Sequence, residues 1–172
     1  MNAKVKLGLL GLNFGSTVCR QLQAQPDLPV RLTKICDLDA EKARAASHEF
    51  GLPWTQHLED LLNDPDLDAI GLYTRPSGRA ALIQQTIRAG KHVMTTKPFE
   101  LDAGAALAVL REAENVGRVV HLNSPNARPY GEMAIIREWL DAGAIGRPTV
   151  AAIRVVQAMS EAEQTGNTIL LK

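Results

Sequence analysis

Charge of one sign, aromatic bulk and long apolar runs are all scarce in this 172-residue chain. Nineteen Lys and Arg balance nineteen Asp and Glu, and no stretch concentrates either sign. That balance argues against a nucleic-acid footprint and against a polybasic membrane patch. No run approaches the roughly 20 apolar residues a membrane-spanning helix needs. The only cysteines are Cys19 and Cys36, too few for a disulfide framework and without metal-ligand spacing to another Cys or His. They are expected to be reduced, partly buried thiols of a cytoplasmic protein. Lys4 and Lys6 before an apolar run mimic a secretory signal, but that run is short and carries glycines, as a buried strand does. What remains is a 45% hydrophobic, 4% aromatic composition long enough for one well-buried α/β domain and short for two. Neither an internal repeat nor a low-complexity segment is visible.

Short β-rich runs alternate with helical periodicity, which predicts a doubly wound parallel sheet of the Rossmann type, with three αβα layers. Val5 to Leu10 reads as the first strand. Phe14, Val18 and Leu22 recur at four-residue spacing, predicting a helix that closes near Pro26. Val30 to Cys36 is the second strand, and Asp39 is placed to cap a helix that stops at Gly51. Thr55 is expected to cap a short helix carrying Leu58, Leu61 and Leu62, after a weak third strand near Pro53 and Trp54. Asp68 to Tyr73 is the fourth strand. Ala80, Ile83 and Ile87 mark a helix ending at Gly90, and His92 to Thr95 a fifth strand. A long helix from about Asp102 to Gly117, a last strand from Val119 to Leu122, and a helix through Met133, Ile136, Trp139 and Leu140 follow. Val150 to Val156 is again β-rich.

The first strand runs directly into Gly11-Leu12-Asn13-Phe14-Gly15-Ser16, and the second ends at Asp37. A strand, a tight turn, a helix start and an acid about twenty residues on describe how a chain grips a dinucleotide. The turn brings backbone to the pyrophosphate, and the helix N-terminus offers it unpaired N–H groups and a positive dipole end. Aligned as G-x-G-x-x-G from Gly11, the middle glycine is Asn13 and the third Ser16, with Gly15 one place early. A carboxylate at Asp37 would bond the adenosine ribose and repel a 2′-phosphate, favouring NAD over NADP while leaving NADP possible. Its competing role is that of a turn acid. In such a sheet ligands bind at the carboxyl ends of the strands. Thr74, Arg75 and Pro76, then Thr96, Lys97 and Pro98, then Asn123 and Ser124 follow successive strands at that end.

With those residues in place the chain resembles the N-terminal domain of the Gfo/Idh/MocA family, named for glucose–fructose oxidoreductase and inositol dehydrogenase. The resemblance covers about residues 4 to 157. Besides the turn and the acid in Cys36-Asp37-Leu38-Asp39, it includes Phe50-Gly51, Leu58-Glu59-Asp60-Leu61-Leu62, Asp66-Leu67-Asp68-Ala69 and Ala89-Gly90-Lys91-His92-Val93-Met94. Thr96-Lys97-Pro98 stands for the family's Glu-Lys-Pro, and Asp141-Ala142-Gly143-Ala144-Ile145-Gly146-Arg147-Pro148 for its linker. The resemblance implies NAD(P)-dependent hydride transfer to or from a sugar, polyol or related hydroxyl compound. Lys97 would be the catalytic cation that orients a substrate oxygen. Gly11, Asn13, Phe14, Gly15, Ser16, Asp37, Thr74, Arg75, Pro76, Thr96, Lys97, Pro98 and Asn123 would hold the cofactor.

Three features depart from the family pattern. Thr96 replaces the glutamate. Arg79 replaces a histidine, and is expected to be a solvated helix residue, a cofactor-phosphate contact being the alternative. The chain is expected to divide into a dinucleotide domain, 1–147, and a segment, 148–172, holding only the first strand of the family's second domain. His48, His57, His92 and His121 offer no evident acid–base substitute from that domain. A non-catalytic dinucleotide-binding module therefore stands as the alternative function. An unpaired strand near 148–157 would expose an apolar edge, so pairing with a second copy in a homo-oligomer is expected.

Overall fold

The strand runs over residues 7–10 and 69–72 are apolar or glycine on successive residues and buried throughout, which suits strands covered on both faces. In a computed structural model, residues 3–122 and 132–144 are described. The elements among them are β1 (Val5–Leu10), α1 (Leu12–Ala24), β2 (Val30–Cys36), α2 (Ala40–Phe50), β3 (Trp54–Thr55), α3 (Glu59–Leu62), β4 (Ala69–Leu72), α4 (Arg79–Arg88), β5 (His92–Thr95), α5 (Ala103–Asn115), β6 (Val120–Leu122) and α6 (Glu132–Asp141). β1 to β6 form one sheet in the order β3-β2-β1-β4-β5-β6, with every pairing parallel. This is the doubly wound order, in which the chain moves outward from β1 in one direction and then from β4 in the other.

Both faces of the sheet are packed. On one, Leu7, Leu9 and Ile35 meet Val18, Cys19 and Leu22 of α1 and Ala43, Ala46 and Phe50 of α2. On the other, Leu10, Ile70 and Leu72 meet Ala80, Ile83 and Ile87 of α4 and Val109 and Ala113 of α5. These two clusters produce the three layers. One irregularity bears on the site. In the β1–β2 pairing Leu7 faces Leu32 but Gly8 faces Lys34, so Thr33 is an extra residue. Its hydroxyl donates to the Leu7 carbonyl at 3.2 Å, satisfying an acceptor beside the bulge.

Helix ends follow local chemistry. Asp39 accepts from the Glu41 and Lys42 amides at 3.0 and 3.2 Å, and Asp102 accepts from the Ala105 amide at 2.8 Å. Such caps are each worth about 1 kcal/mol. Gly51 takes the left-handed conformation that ends α2. Two local expectations are corrected. Thr55 does not take the cap position of α3: its backbone pairs with Cys36 in the sheet, and its hydroxyl accepts from the His57 amide at 3.2 Å and donates to the Asp60 carboxylate. Leu58 occupies the cap position instead. Phe14 does not join the buried face of α1, which is formed by Leu12, Gly15, Val18, Cys19 and Leu22.

The chain divides into two units, Met1–Pro125 and Asn126–Lys172, and α6 belongs to the second. The expected boundary at residue 147 and the expected strand over 150–156 lie outside the described residues. Among the described residues no helix is long and apolar enough to cross a membrane.

Burial pushes the Cys19 and Cys36 thiols up to about 12. At Cys36 the nearby carboxylates of Asp37, Asp60 and Glu59 add to that push. Both thiols should resist a disulfide-exchange reagent at pH 8 in the native protein and react fully in denaturant. Because the folded value lies above the ordinary 9.0, their contribution to stability is whole below pH 9 and is lost as pH rises towards 12. Denaturant titrations across that range should show stability falling.

Candidate dinucleotide site

The carboxyl end of β1 is where the sheet changes winding direction, so β2 and β4 leave a crevice there between them. A cleft of about 440 Å³ occupies it, within the range of small-ligand sites, lined by Leu10, Gly11, Leu12, Asn13, Asp37, Leu38, Leu58, Tyr73, Thr74, Arg75, Ser77 and Leu82. Five residues proposed from sequence for the cofactor, Gly11, Asn13, Asp37, Thr74 and Arg75, thus share one wall system.

Gly11 joins strand to helix under two restraints. Its φ is +93°, and a Cβ there would stand 2.8 Å from the Tyr73 carbonyl oxygen. Its amide donates to the Cys36 carbonyl at 2.9 Å, and the Tyr73 amide donates to the Leu10 carbonyl at 2.9 Å. The turn is therefore wedged between β2 and β4, and only glycine has both the dihedral freedom and the size. Gly15 works differently. It is buried in α1, and a Cβ on it would lie 2.7 Å from Leu9 Cδ2. Its role here is close approach of helix to strand, since α1 begins immediately after Gly11.

Gly11, in the cap position of α1, has no side chain to cap it, whereas aspartates in that position cap α2 and α5. From the tip of β2, Asp37 places Oδ2 at 2.8 Å from the Leu12 amide, accepting its hydrogen. Its Oδ1 accepts from the Asp39 amide at 2.9 Å. The carboxylate is held at the cleft edge by two backbone donors, with acceptor capacity left on each oxygen for a hydroxyl. Lys42, which the sequence reading did not single out, reaches from α2 to donate to Asn13 Oδ1 at 3.1 Å. Its nitrogen is 3.8 Å from Asp39. A cation thus stands beside the start of α1. Phe14 is 46% exposed, and its ring meets Tyr73 at a centroid distance of 5.8 Å, on the rim of the cleft. Ser16 turns its hydroxyl back to the Leu12 carbonyl at 2.6 Å and does not line the cleft.

The ends of β4 and β5 carry the second half of the candidate set. Thr74 is half-buried and Arg75 exposed; the Pro76 carbonyl accepts from the Arg79 amide at 3.2 Å. Thr96 is half-buried, and Lys97 and Pro98, joined by a cis peptide bond, are exposed. No hydrogen bond or ion pair among the described residues engages the Lys97 ammonium. Asn123 lies outside the described residues.

The expectation of a solvated Arg79 is overturned: the residue is 2% exposed. Its guanidinium donates to the carbonyls of Thr96 at 2.6 Å, of Pro98, of Phe99 at 3.5 Å and of Thr74. Burial pulls its pKa down, and Glu100 nearby opposes that shift. Sequence pattern could not reveal this, because the partners are main-chain atoms of loops that local periodicity leaves unplaced.

The residues fit a dinucleotide. A helix start with glycine in its cap position, a fixed carboxylate and a glycine wedge meet at the switch point of a parallel sheet, the arrangement that defines a nucleotide-binding Rossmann domain. Residues 5–124 match the oxidoreductase family with an NAD-binding Rossmann fold, Gfo/Idh/MocA, and the chain belongs to that family. It is 28% identical over 147 residues to the inositol 2-dehydrogenase/D-chiro-inositol 3-dehydrogenase of Lactiplantibacillus plantarum, covering 83% of this chain and 41% of that one. A candidate myo-inositol dehydrogenase from Sinorhizobium meliloti 1021 superposes with a TM-score of 0.72 at 26% identity, over 83% of this chain and 43% of that one. GenD2 from gentamicin A biosynthesis, solved with NAD, gives 0.65 at 25% identity, over 72% and 35%. The chain therefore spans less than half the length of these proteins.

Two glycine substitutions separate dihedral strain from crowding. Gly51 has φ +66° with nothing within 4 Å of a built Cβ, so Gly51→Ala should cost about 1–2 kcal/mol. Gly11→Ala adds collision with the Tyr73 backbone and should cost more, with nucleotide affinity falling as well. Denaturant unfolding beside a dinucleotide titration measures both.

Proposed function

We propose that this chain is the dinucleotide-binding part of an NAD(P)-dependent oxidoreductase acting on a hydroxyl of a sugar, polyol or related compound. The observation that carries the reading is the convergence of the α1 start, the Asp37 carboxylate and the β4 loop on one cleft of a family fold. The Asn13 and Phe14 amides at that helix start would face the pyrophosphate, where the helix dipole favours negative charge. Asp37 would accept from the adenosine ribose hydroxyls, and its charge favours NAD over NADP. The nicotinamide, when bound, supplies the hydride acceptor or donor.

The protein's part in the chemistry is orientation and charge. The exposed ammonium of Lys97, at the end of β5, would donate to the reacting substrate oxygen. It would favour the alkoxide left when the hydroxyl proton passes to solvent and from which hydride departs, and in the reverse direction stabilise the negative charge that builds on the carbonyl oxygen as hydride arrives. Thr74, Arg75, Pro76, Thr96, Pro98 and Asn123 would complete the cofactor contacts. A cytoplasmic location and assembly with a second copy through 148–157 belong to the same proposal.

The test is a titration with NAD and NADP followed by a panel of sugars and polyols. Micromolar NAD binding is expected, tighter than NADP, with turnover on at least one hydroxyl compound. Lys97→Ala should hold NAD affinity within about threefold while turnover drops about 10²–10³-fold. Asp37→Ala should weaken NAD about tenfold, equal to 1.4 kcal/mol, and narrow the preference over NADP. NAD binding with no turnover on any substrate would leave a non-catalytic binding module. No dinucleotide binding would end both readings.

A further inference from the structure

Arg79 is the largest of the fully buried side chains, yet among the described residues no carboxylate lies within ion-pair distance of it. Burying a guanidinium without such a partner is costly unless its N–H groups are taken up elsewhere. The two terminal nitrogens are taken up by main chain, while Nε, also buried, is left without a partner among the described residues. One terminal nitrogen donates to Thr74, in the loop after β4. The other donates to Thr96 at 2.6 Å and to Pro98, with Phe99 at 3.5 Å, all in the loop after β5. A planar fork with fixed donor directions suits this bridging, which a single ammonium could not reproduce.

The same two segments are joined a second time, in the opposite sense. Glu100, on the β5 loop, places Oε2 at 2.9 Å from the Ala80 amide in the first turn of α4. Its Oε1 accepts from Leu101 at 2.7 Å. α4 begins at Gly78 without a side-chain cap of its own, so Glu100 supplies the negative charge its N-terminus favours. Those amide bonds, Ala80 first, hold the Glu100 carboxyl below the usual range. Between the two anchor points lie Thr96, Lys97 and Pro98. Lys97 has an exposed side chain, and the residues flanking it are tied down.

We propose that Arg79 and Glu100 are positioning residues: by tying the loop after β5 to α4 and to the loop after β4, they fix where Lys97 stands beside the nucleotide cleft. The proposal rests on the reading of Lys97 as the substrate-orienting cation, and goes beyond it by naming what aims that cation. The two residues act through backbone and touch neither cofactor nor substrate.

The test uses the full 172-residue chain with Arg79→Lys and Glu100→Ala, read in two ways. Backbone amide relaxation without ligand should give order parameters of about 0.85 at Thr96, Lys97 and Phe99 in the parent chain. In the variants they should drop towards about 0.6 while β1 and β4 stay rigid. With NAD and the hydroxyl substrate found for the parent, NAD affinity should stay within threefold. The Lys97-dependent kcat should fall at least tenfold in each variant. Unchanged loop order in both variants, or an equal loss throughout the sheet, would overturn the proposal. So would a loosened loop with undiminished kcat. Should Arg79→Lys fail to fold, Glu100→Ala alone decides, since it removes the acceptor of the Ala80 amide at a half-buried position outside the core. A parent chain that binds no NAD defeats the functional reading instead, and the relaxation comparison still decides whether the tie exists.

Discussion

The hydrogen bond from the Leu12 amide to Asp37 joins the two elements on which this site depends. It spans 25 residues of sequence and 2.8 Å of space, linking the first turn of α1 to the tip of β2. The parallel pairing of β1 with β2 brings those tips together, and the Gly11 turn lets the helix begin at once rather than after a longer loop. The carboxylate is therefore a partial cap that keeps spare acceptor capacity at the cleft edge, where it is proposed to meet the cofactor. By occupying one helix amide it keeps its own orientation, and it leaves the amides that follow for an anion. A longer connection or a side-chain cap on α1 would remove that opportunity.

On the other side of β1 the site is assembled by different means. Here β4 and β5 pair to their carboxyl ends, and the loops beyond them are held by polar side chains that bond main chain. Arg79 serves the loops after β4 and β5, and Glu100 serves the start of α4. Thr95 adds a buried hydroxyl bond to the Leu72 carbonyl at 2.8 Å. Elsewhere Lys91, also buried, donates to the carbonyls of Asp64 and Leu67 at 2.6 and 2.8 Å. The protein uses buried cations as main-chain clamps in two places, one near the site and one at the opposite ends of the strands. In each, a charge excluded from water is tolerated because carbonyl dipoles surround it.

Much of this architecture is written locally. β1 and β2 have the bounds their apolar runs predict, and Asp39 and Gly51 delimit α2 as a capping residue and a left-handed glycine should. The glycine turn and Asp37 meet because strand order in such sheets is strongly constrained. What local pattern does not carry is any contact whose partner is backbone far away. Arg79 reads as a charged residue in the first turn of an amphipathic helix, and nothing nearby in sequence announces the carbonyls that bury it. Lys42 and Asn13 lie 29 residues apart and meet only because α1 and α2 share a face. Thr55 has the chemistry of a cap, but its backbone pairs with β2 and its hydroxyl bonds His57 and Asp60. Gly15 looks misplaced against a motif counted by spacing, and its place becomes clear only where the helix begins.

The extra residue at Thr33 in β2 has an effect beyond its own turn of backbone. Side chains on a strand alternate, so an inserted position reverses the facing of everything after it. Leu32 and Ile35 consequently lie in the same core layer, three positions apart, and Cys36 lies in the other. Continued one step, that alternation turns Asp37 toward the layer that holds α1. Excision of Thr33 would restore an even count and aim the acid at the opposite layer, leaving Leu12 without its acceptor. The reading frame of a single β-strand thus sets the layer toward which Asp37 points, and length changes in β2 should be far less tolerable to this protein than substitutions within it.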